Sequence, residues 1–156
     1  MIAVVQRVSS ARVSVDDRTV GAIGEGLVVF LGVAKGDTER DADFLSDKII
    51  NLRIFEDRNG KMNRSLLDIS GEMLVVSQFT LLADCRKGRR PSFADAAGFE
   101  QADELYEHFI KRSRMRVGEV ATGRFRAMME VDLVNSGPVT MILESIKTGG
   151  DYEHRE

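Results

Sequence analysis

Ser77-Gln78-Phe79-Thr80 is the run in which polar side chains interrupt an otherwise apolar stretch, directly after Met73-Leu74-Val75-Val76. Two hydroxyls and an amide at the end of a buried strand are placed to meet a ligand, and backbone N–H groups there can stabilise a developing oxyanion. The same hydroxyls can also bond a neighbouring strand, and composition alone favours that structural reading. Asn135-Ser136-Gly137-Pro138 is a second break between apolar runs. A glycine before a proline allows a rigid backbone to approach a ligand closely, whereas a plain turn is the common outcome, with only about 5 to 6% of X-Pro bonds cis.

Conventional catalytic equipment is sparse. The two histidines are His108, within a helical pattern, and His154, near the C-terminus. A catalytic histidine needs an orienting partner, and a metal site needs several convergent ligands, so neither histidine by itself defines a site. Cys85 is the single cysteine, which excludes an internal disulfide framework and any multi-cysteine metal cluster. Arg86 and Lys87 beside it favour the thiolate, although a lone loop cysteine is ordinarily incidental. The chain contains no G-x-S-x-G elbow, P-loop or G-x-G-x-x-G, so nucleotide hydrolysis and dinucleotide redox chemistry lack support. Neither a metal nor a cofactor is expected.

Two basic clusters remain: Arg86, Lys87, Arg89 and Arg90 in one loop, and Lys111, Arg112, Arg114 and Arg116 at the end of a helical stretch. Cations favour a helix C-terminus, which accounts for part of the second cluster. On a chain with 22 basic against 25 acidic residues, such local concentration points to an anionic partner such as RNA, or to a solvated basic surface.

The elements that position these groups follow from periodicity. Ile2 to Val8, Ala11 to Val15 and Thr19 to Ile23 alternate as half-buried strands, and the polar breaks between them read as the turns of an antiparallel meander. Gly26 to Val33 is a continuous apolar run and therefore a central strand. Asp37 or Thr38 can cap a helix over Glu39 to Leu52, with Ala42, Leu45, Ile49 and Leu52 on one face. Asn59-Gly60 marks a turn. Glu72 to Leu82 reads as another central strand, Ala83 to Pro91 as a loop, and Phe99 to Arg112 as a second helix. Val117 to Ala121, Ala127 to Val134 and Val139 to Leu143 close the chain as strands. The order is mostly β, with two helices able to cover one sheet face, an α+β layered domain.

At 156 residues, with 43% apolar and 30% charged residues, the chain suits one compact globular domain. The expected organisation is a single domain over 1–148 followed by a polar tail, 149–156. No apolar run approaches the roughly 20 residues of a membrane span. The opening Met1 to Arg7 lacks the charge order of a signal peptide, and with the lone cysteine this suits a cytoplasmic location.

Ser77-Gln78-Phe79-Thr80-Leu81 and Asn135-Ser136-Gly137-Pro138-Val139-Thr140, in this order and spacing, resemble the two signature motifs of the D-aminoacyl-tRNA deacylase family of the Gly-cisPro type. Val4-Val5-Gln6-Arg7-Val8, Lys87-Gly88-Arg89-Arg90-Pro91-Ser92-Phe93 and Thr122-Gly123-Arg124-Phe125 with Met129 extend the resemblance over the chain to about Glu144. Ser136 stands where the second motif commonly carries aspartate.

The resemblance implies an α/β/β layered fold, with mixed sheets in a barrel-like core and two main helices on one side. It also implies a homodimer, with active sites at the subunit interface, that hydrolyses the ester between a D-amino acid and tRNA, and glycyl-tRNA as well. The catalytic segment would be Ser77, Gln78, Phe79 and Thr80, the Phe79 and Thr80 backbone holding the ester carbonyl while the substrate 2′-OH helps activate water. Gly137 and Pro138 of the opposite subunit would bind the α-ammonium and exclude an L side chain. Val139, Thr140, Phe125, Met129 and Arg7 complete the expected substrate-binding set, with Arg86, Lys87, Arg89 and Arg90 on tRNA. Neither DNA nor a membrane is expected as a partner. A noncatalytic RNA-binding dimer and a hydrolase with Thr80 or Ser77 as covalent nucleophile are the competing readings; 6% aromatics without Trp weakens the first, and the second needs an adjacent base.

Overall fold

The computed structural model describes residues 1–145; the expected tail and the domain boundary at 148 lie outside the described residues. The chain opens with one long strand, β1 (Ile2–Val15), followed by β2 (Arg18–Ile23) and β3 (Gly26–Gly32). This corrects the expected meander. The polar pair Ser9-Ser10 does not turn the chain, because β2 and β3 lie end to end along one edge of β1, Ala11 facing Ile23 and Ile2 facing Gly32. The other edge of β1 carries the last strand, β8 (Glu130–Glu144). With both edges paired, two exposed serines are tolerated inside the strand.

Helix α1 (Glu39–Asn51) starts where Asp41 Oδ2 accepts from the Thr38 amide at 2.8 Å and the Thr38 hydroxyl at 3.2 Å. A hairpin of β4 (Phe55–Glu56) and β5 (Met62–Arg64) follows, then β6 (Glu72–Ser77). The expected strand to Leu82 therefore stops at Ser77, and Phe79–Leu82 forms a 3₁₀ turn. The last ladder partner explains the stop: Ser77 faces Leu31, β3 ends one residue later, and the Gln78 amide donates to Leu31 O at 2.8 Å. At Gly32 a side chain would collide with Leu82, whose Cδ2 lies 2.6 Å from the Cβ position, so glycine lets the turn fold back over the strand end.

Helix α2 (Phe99–Arg114) leads to β7 (Val120–Thr122). Strands β3, β6 and β7 are parallel neighbours, and the main sheet runs β2-β1-β3-β6-β7 with β8 beside β1. Gly21 of β2 lies so near β7 that a Cβ would sit 2.6 Å from Thr122 O, which brings the sheet close to a closed barrel. Apolar residues fill both faces. Leu27, Val29 and Leu31 pack with the helices, whereas Val28, Leu74 and Val76 pack with Val8, Ala11, Val13 and Ile23. This is the expected α+β layering. The last two expected strands are one, β8, with its interruption retained as a bulge: Gln6 faces Thr140 and Val8 faces Asn135, leaving Ser136 to Val139 opposite Arg7 alone.

Most of the second basic cluster has structural partners. Arg112 and His108 reach Asp43 of α1 at 2.9 and 2.8 Å, Arg116 reaches Asp47 at 2.7 Å, and Arg114 donates to Val120 O at 3.2 Å. No helix among the described residues is long and apolar enough to cross a membrane.

Candidate active site

The β6 terminus delivers Ser77 and Gln78 half-buried and Phe79 and Thr80 exposed. The Gln78 side-chain amide donates to Thr80 Oγ1, which orients the threonine hydroxyl. Neither the Phe79 nor the Thr80 amide donates to a carbonyl among the described residues. Both stand at the beginning of a helical turn, where N–H groups lack intrahelical partners. The Phe79 ring meets Phe93 edge-on, with centroids 5.1 Å apart.

Between those rings runs the basic loop, closed by reciprocal backbone bonds between Asp84 and Ser92. Asp84 also takes Arg86 in a two-pronged contact, at 2.9 Å to Nε and 2.7 Å to Nη2. The Arg86 guanidinium and backbone amide hold the Asp84 carboxyl far below the usual carboxylate range. Lys87, Arg89 and Arg90 remain exposed, with no carboxylate paired to them among the described residues. Asp84 was missed from sequence; an aspartate two residues before an arginine in a loop is the signal that identifies it.

Phe125 stands half-buried against Tyr106, centroids 5.9 Å apart, in the turn after β7. Tyr106 donates its hydroxyl to Val75 O at 3.0 Å, and burial pushes its phenol pKa upward. Met129 Sδ lies 3.4 Å from the Arg124 amide, beside Gly123. Phe125 and Met129 thus sit beyond the same parallel strand ends as Ser77, since Gly123 N donates to Val75 O. The carboxyl ends of parallel strands are where open α/β sheets bind ligands.

Gly137 and Pro138 occupy the β8 bulge, exposed and joined by a cis peptide bond. Gly137 has φ +128°, and a Cβ there would lie 2.8 Å from Val139 Cγ2 and 3.0 Å from Arg7 Nη2, so only glycine fits. Arg7 is 8% exposed and donates to Ser136 O at 3.1 Å and Ile54 O at 2.7 Å, holding the bulge from beneath. Asn135 Oδ1 accepts from Val139 N, while the Thr140 hydroxyl accepts from both Gln6 and Asn135. Arg7, Val139 and Thr140 therefore brace the backbone of the second motif.

Within the single chain the two motifs do not meet. Arg7, opposite the bulge, is level with Leu27 and Met73, whereas Ser77 is level with Leu31. Four residues at ~3.3 Å each separate them by about 13 Å along the strands, before any sideways offset. His108 is engaged with Asp43 on the helix pair, and no group of three metal-ligating side chains occurs among the described residues.

Fold and site define a barrel-like α+β protein with a polar turn at the carboxyl ends of parallel strands and a braced glycine-proline bulge at the other end. The chain matches the family described as D-Tyr-tRNA(Tyr) deacylase over residues 4–144, and it belongs to that family. It is 64% identical over 145 residues to a D-aminoacyl-tRNA deacylase of Syntrophus aciditrophicus (strain SB), covering 93% of this chain and 97% of that protein. A D-aminoacyl-tRNA deacylase of Clostridioides difficile (strain 630) is 58% identical over 148 residues, 95% of this chain and 99% of the relative. Among solved structures, a c-Myc DNA unwinding element binding protein superposes with TM-score 0.89 at 43% identity, over 94% of this chain and all of that one. A probable eukaryotic D-amino acid tRNA deacylase, at 17% identity and TM-score 0.79 over 92% of this chain and 98% of that one, shares the fold.

Proposed function

We propose that this chain is a D-aminoacyl-tRNA deacylase that acts in the cytoplasm as a homodimer, each site combining the strand end of one protomer with the bulge of the other. Family membership supports the reaction. The observation that carries the arrangement is the separation of the two motifs, with Gly137 and Pro138 exposed and braced yet remote from Phe79 and Thr80 of their own chain. The outer edge of β8 supports a partner copy as well: it is open among the described residues and carries exposed Val134 and Ile142, and long apolar edges are normally covered.

In this reading water adds to the ester carbonyl while the substrate 2′-OH assists its deprotonation. The Phe79 and Thr80 amides hold the resulting oxyanion. Collapse breaks the bond to the ribose oxygen, which leaves with a proton as the tRNA hydroxyl, and releases the D-amino acid. Every step is assigned to protein backbone or substrate groups. The Gly137 and Pro138 carbonyls from the partner receive the α-ammonium, and their backbone forms a wall at the α-carbon. An L side chain collides with that wall, a D side chain points away, and glycine presents only hydrogen, so selection needs no pocket shaped to one side chain.

Rates on D-, L- and glycyl forms of one tRNA body test the proposal. Turnover of the D and glycyl forms with resistance of the L form is the expected result; comparable D and L rates overturn it. A noncatalytic nucleic-acid-binding role draws on the basic loop and the likeness to a DNA unwinding element binding protein, and binding without any turnover would favour it.

A further inference from the structure

Beyond the polar turn, the segment after β7 presents a second arrangement. Arg126 adopts φ +64°, a left-handed backbone that arginine rarely takes, in a turn closed by Ala127 N to Arg124 O at 3.1 Å. The turn sends adjacent side chains in opposite directions. Phe125 goes inward against Tyr106, and Arg126 goes outward, its guanidinium carbon 3.9 Å from the centroid of the Phe99 ring. Phe99 begins α2 and is 56% exposed. No carboxylate pairs with Arg126 among the described residues. One face of the guanidinium rests on the ring and Arg126 is otherwise exposed.

We infer that Arg126 on Phe99 is a stacking platform for the unpaired nucleotide that precedes the terminal adenosine of the RNA substrate; this rests on the deacylase reading and extends it by one subsite. An arginine plane is a surface on which unstacked bases settle, and its charge also draws the adjoining phosphate. Phe99 fixes the orientation of that plane in advance, reducing the ordering cost of binding. Position selects the occupant. With the substrate held near Phe125 and Met129, as the deacylase reading expects, the strand that precedes it leads outward past a turn whose exposed residues are Arg124, Arg126 and Met128, and of these Arg126 is the one seated on an aromatic ring among the described residues.

The test is steady-state hydrolysis of D-aminoacyl-tRNA and of 3′-D-aminoacyl-adenosine, which has no preceding nucleotide, by wild type, R126A, R126K and F99L. Loss of the platform should raise KM for the tRNA substrate roughly tenfold in R126A, within the range of single-base stacking, and leave kcat in place. R126K, which keeps the charge and loses the plane, should recover little of that loss, and F99L should fall between R126A and wild type. All four proteins should treat the adenosine substrate alike. An equal KM rise on both substrates would assign Arg126 to holding the turn, rescue by R126K would leave only a charge contact, and an unchanged KM would remove the subsite; each overturns the platform. If wild type hydrolyses neither substrate, the deacylase reading falls and takes the platform with it. Failure with an active wild type sinks the platform alone.

Discussion

Thr80 is the residue at which the covalent and backbone mechanisms part. Its hydroxyl is held by the Gln78 amide, and the only histidine among the described residues, His108, is bonded to Asp43 on the helix pair rather than to Thr80. A covalent nucleophile without its attacking atom loses nearly all activity, whereas alanine keeps the backbone N–H on which an oxyanion depends. Thr80→Ala should therefore retain kcat within about tenfold of wild type, against losses of 10² or more for a missing oxyanion donor. Single-turnover hydrolysis checks the rate, and an acyl group trapped on Thr80 would decide for the nucleophile. Arg7, which the resemblance places in the substrate-binding set, lies buried beneath the bulge, where its guanidinium donates to the Ser136 and Ile54 carbonyls.

At the scale of elements, the basic loop and the start of α1 make separate predictions. Asp84 pairs with Arg86, so if the loop meets tRNA as proposed, the cations left without a carboxylate partner among the described residues are Lys87, Arg89 and Arg90. Substituting these three by alanine should lower the log–log salt slope of tRNA binding by about 0.7 to 0.9 per lost contact, with the larger value in paired regions. Arg86→Ala alone should change that slope least of the four single variants. Equal effects from all four, measured by tRNA titration at several salt concentrations, would contradict the clasp. At α1, burial raises the Asp41 pKa, but hydrogen bonds from Ser145 and from the Thr38 amide and hydroxyl, with the nearby amino terminus, outweigh it and hold the carboxyl below its ordinary value. A depressed carboxylate contributes stability that is complete above the unfolded pKa of about 3.9 and disappears as pH falls through the folded value. Asp41→Asn should cost about 1 kcal/mol at pH 7, typical of a helix cap. Urea unfolding should show wild type and variant converging below about pH 4; a difference constant with pH would remove the charge from the account.

At the scale of the whole molecule, what was legible in the sequence divides by range. Helical spacing marked α1 and α2 to within two residues, and unbroken apolar runs marked β3 and the start of β6, because those signals are local. Ser9-Ser10 and Asn135 to Pro138 carried the same local signal, polar breaks between apolar runs, yet the first lies inside a paired strand and the second is a bulge. Only distant partners, β3, β2 and β8 around β1, distinguish them. The site follows the same rule. Both motifs were visible as residue types, while their separation along the sheet depends on a topology that no short window contains. That separation makes shared sites testable by mixing two inactive variants. Gly137→Val drives a side chain into Val139 and Arg7 and spoils the bulge, while Phe79→Pro removes one donor at a first-turn position suited to proline. Each variant alone should be nearly inactive while still unfolding cooperatively. If sites are shared across a two-fold axis, random exchange makes about half the dimers mixed, and each mixed dimer holds one intact site and one doubly damaged site. Unfolding and refolding the two together should then restore about a quarter of wild-type activity. Were both motifs of a site drawn from the same protomer, every site in the mixture would carry one lesion and no activity would return.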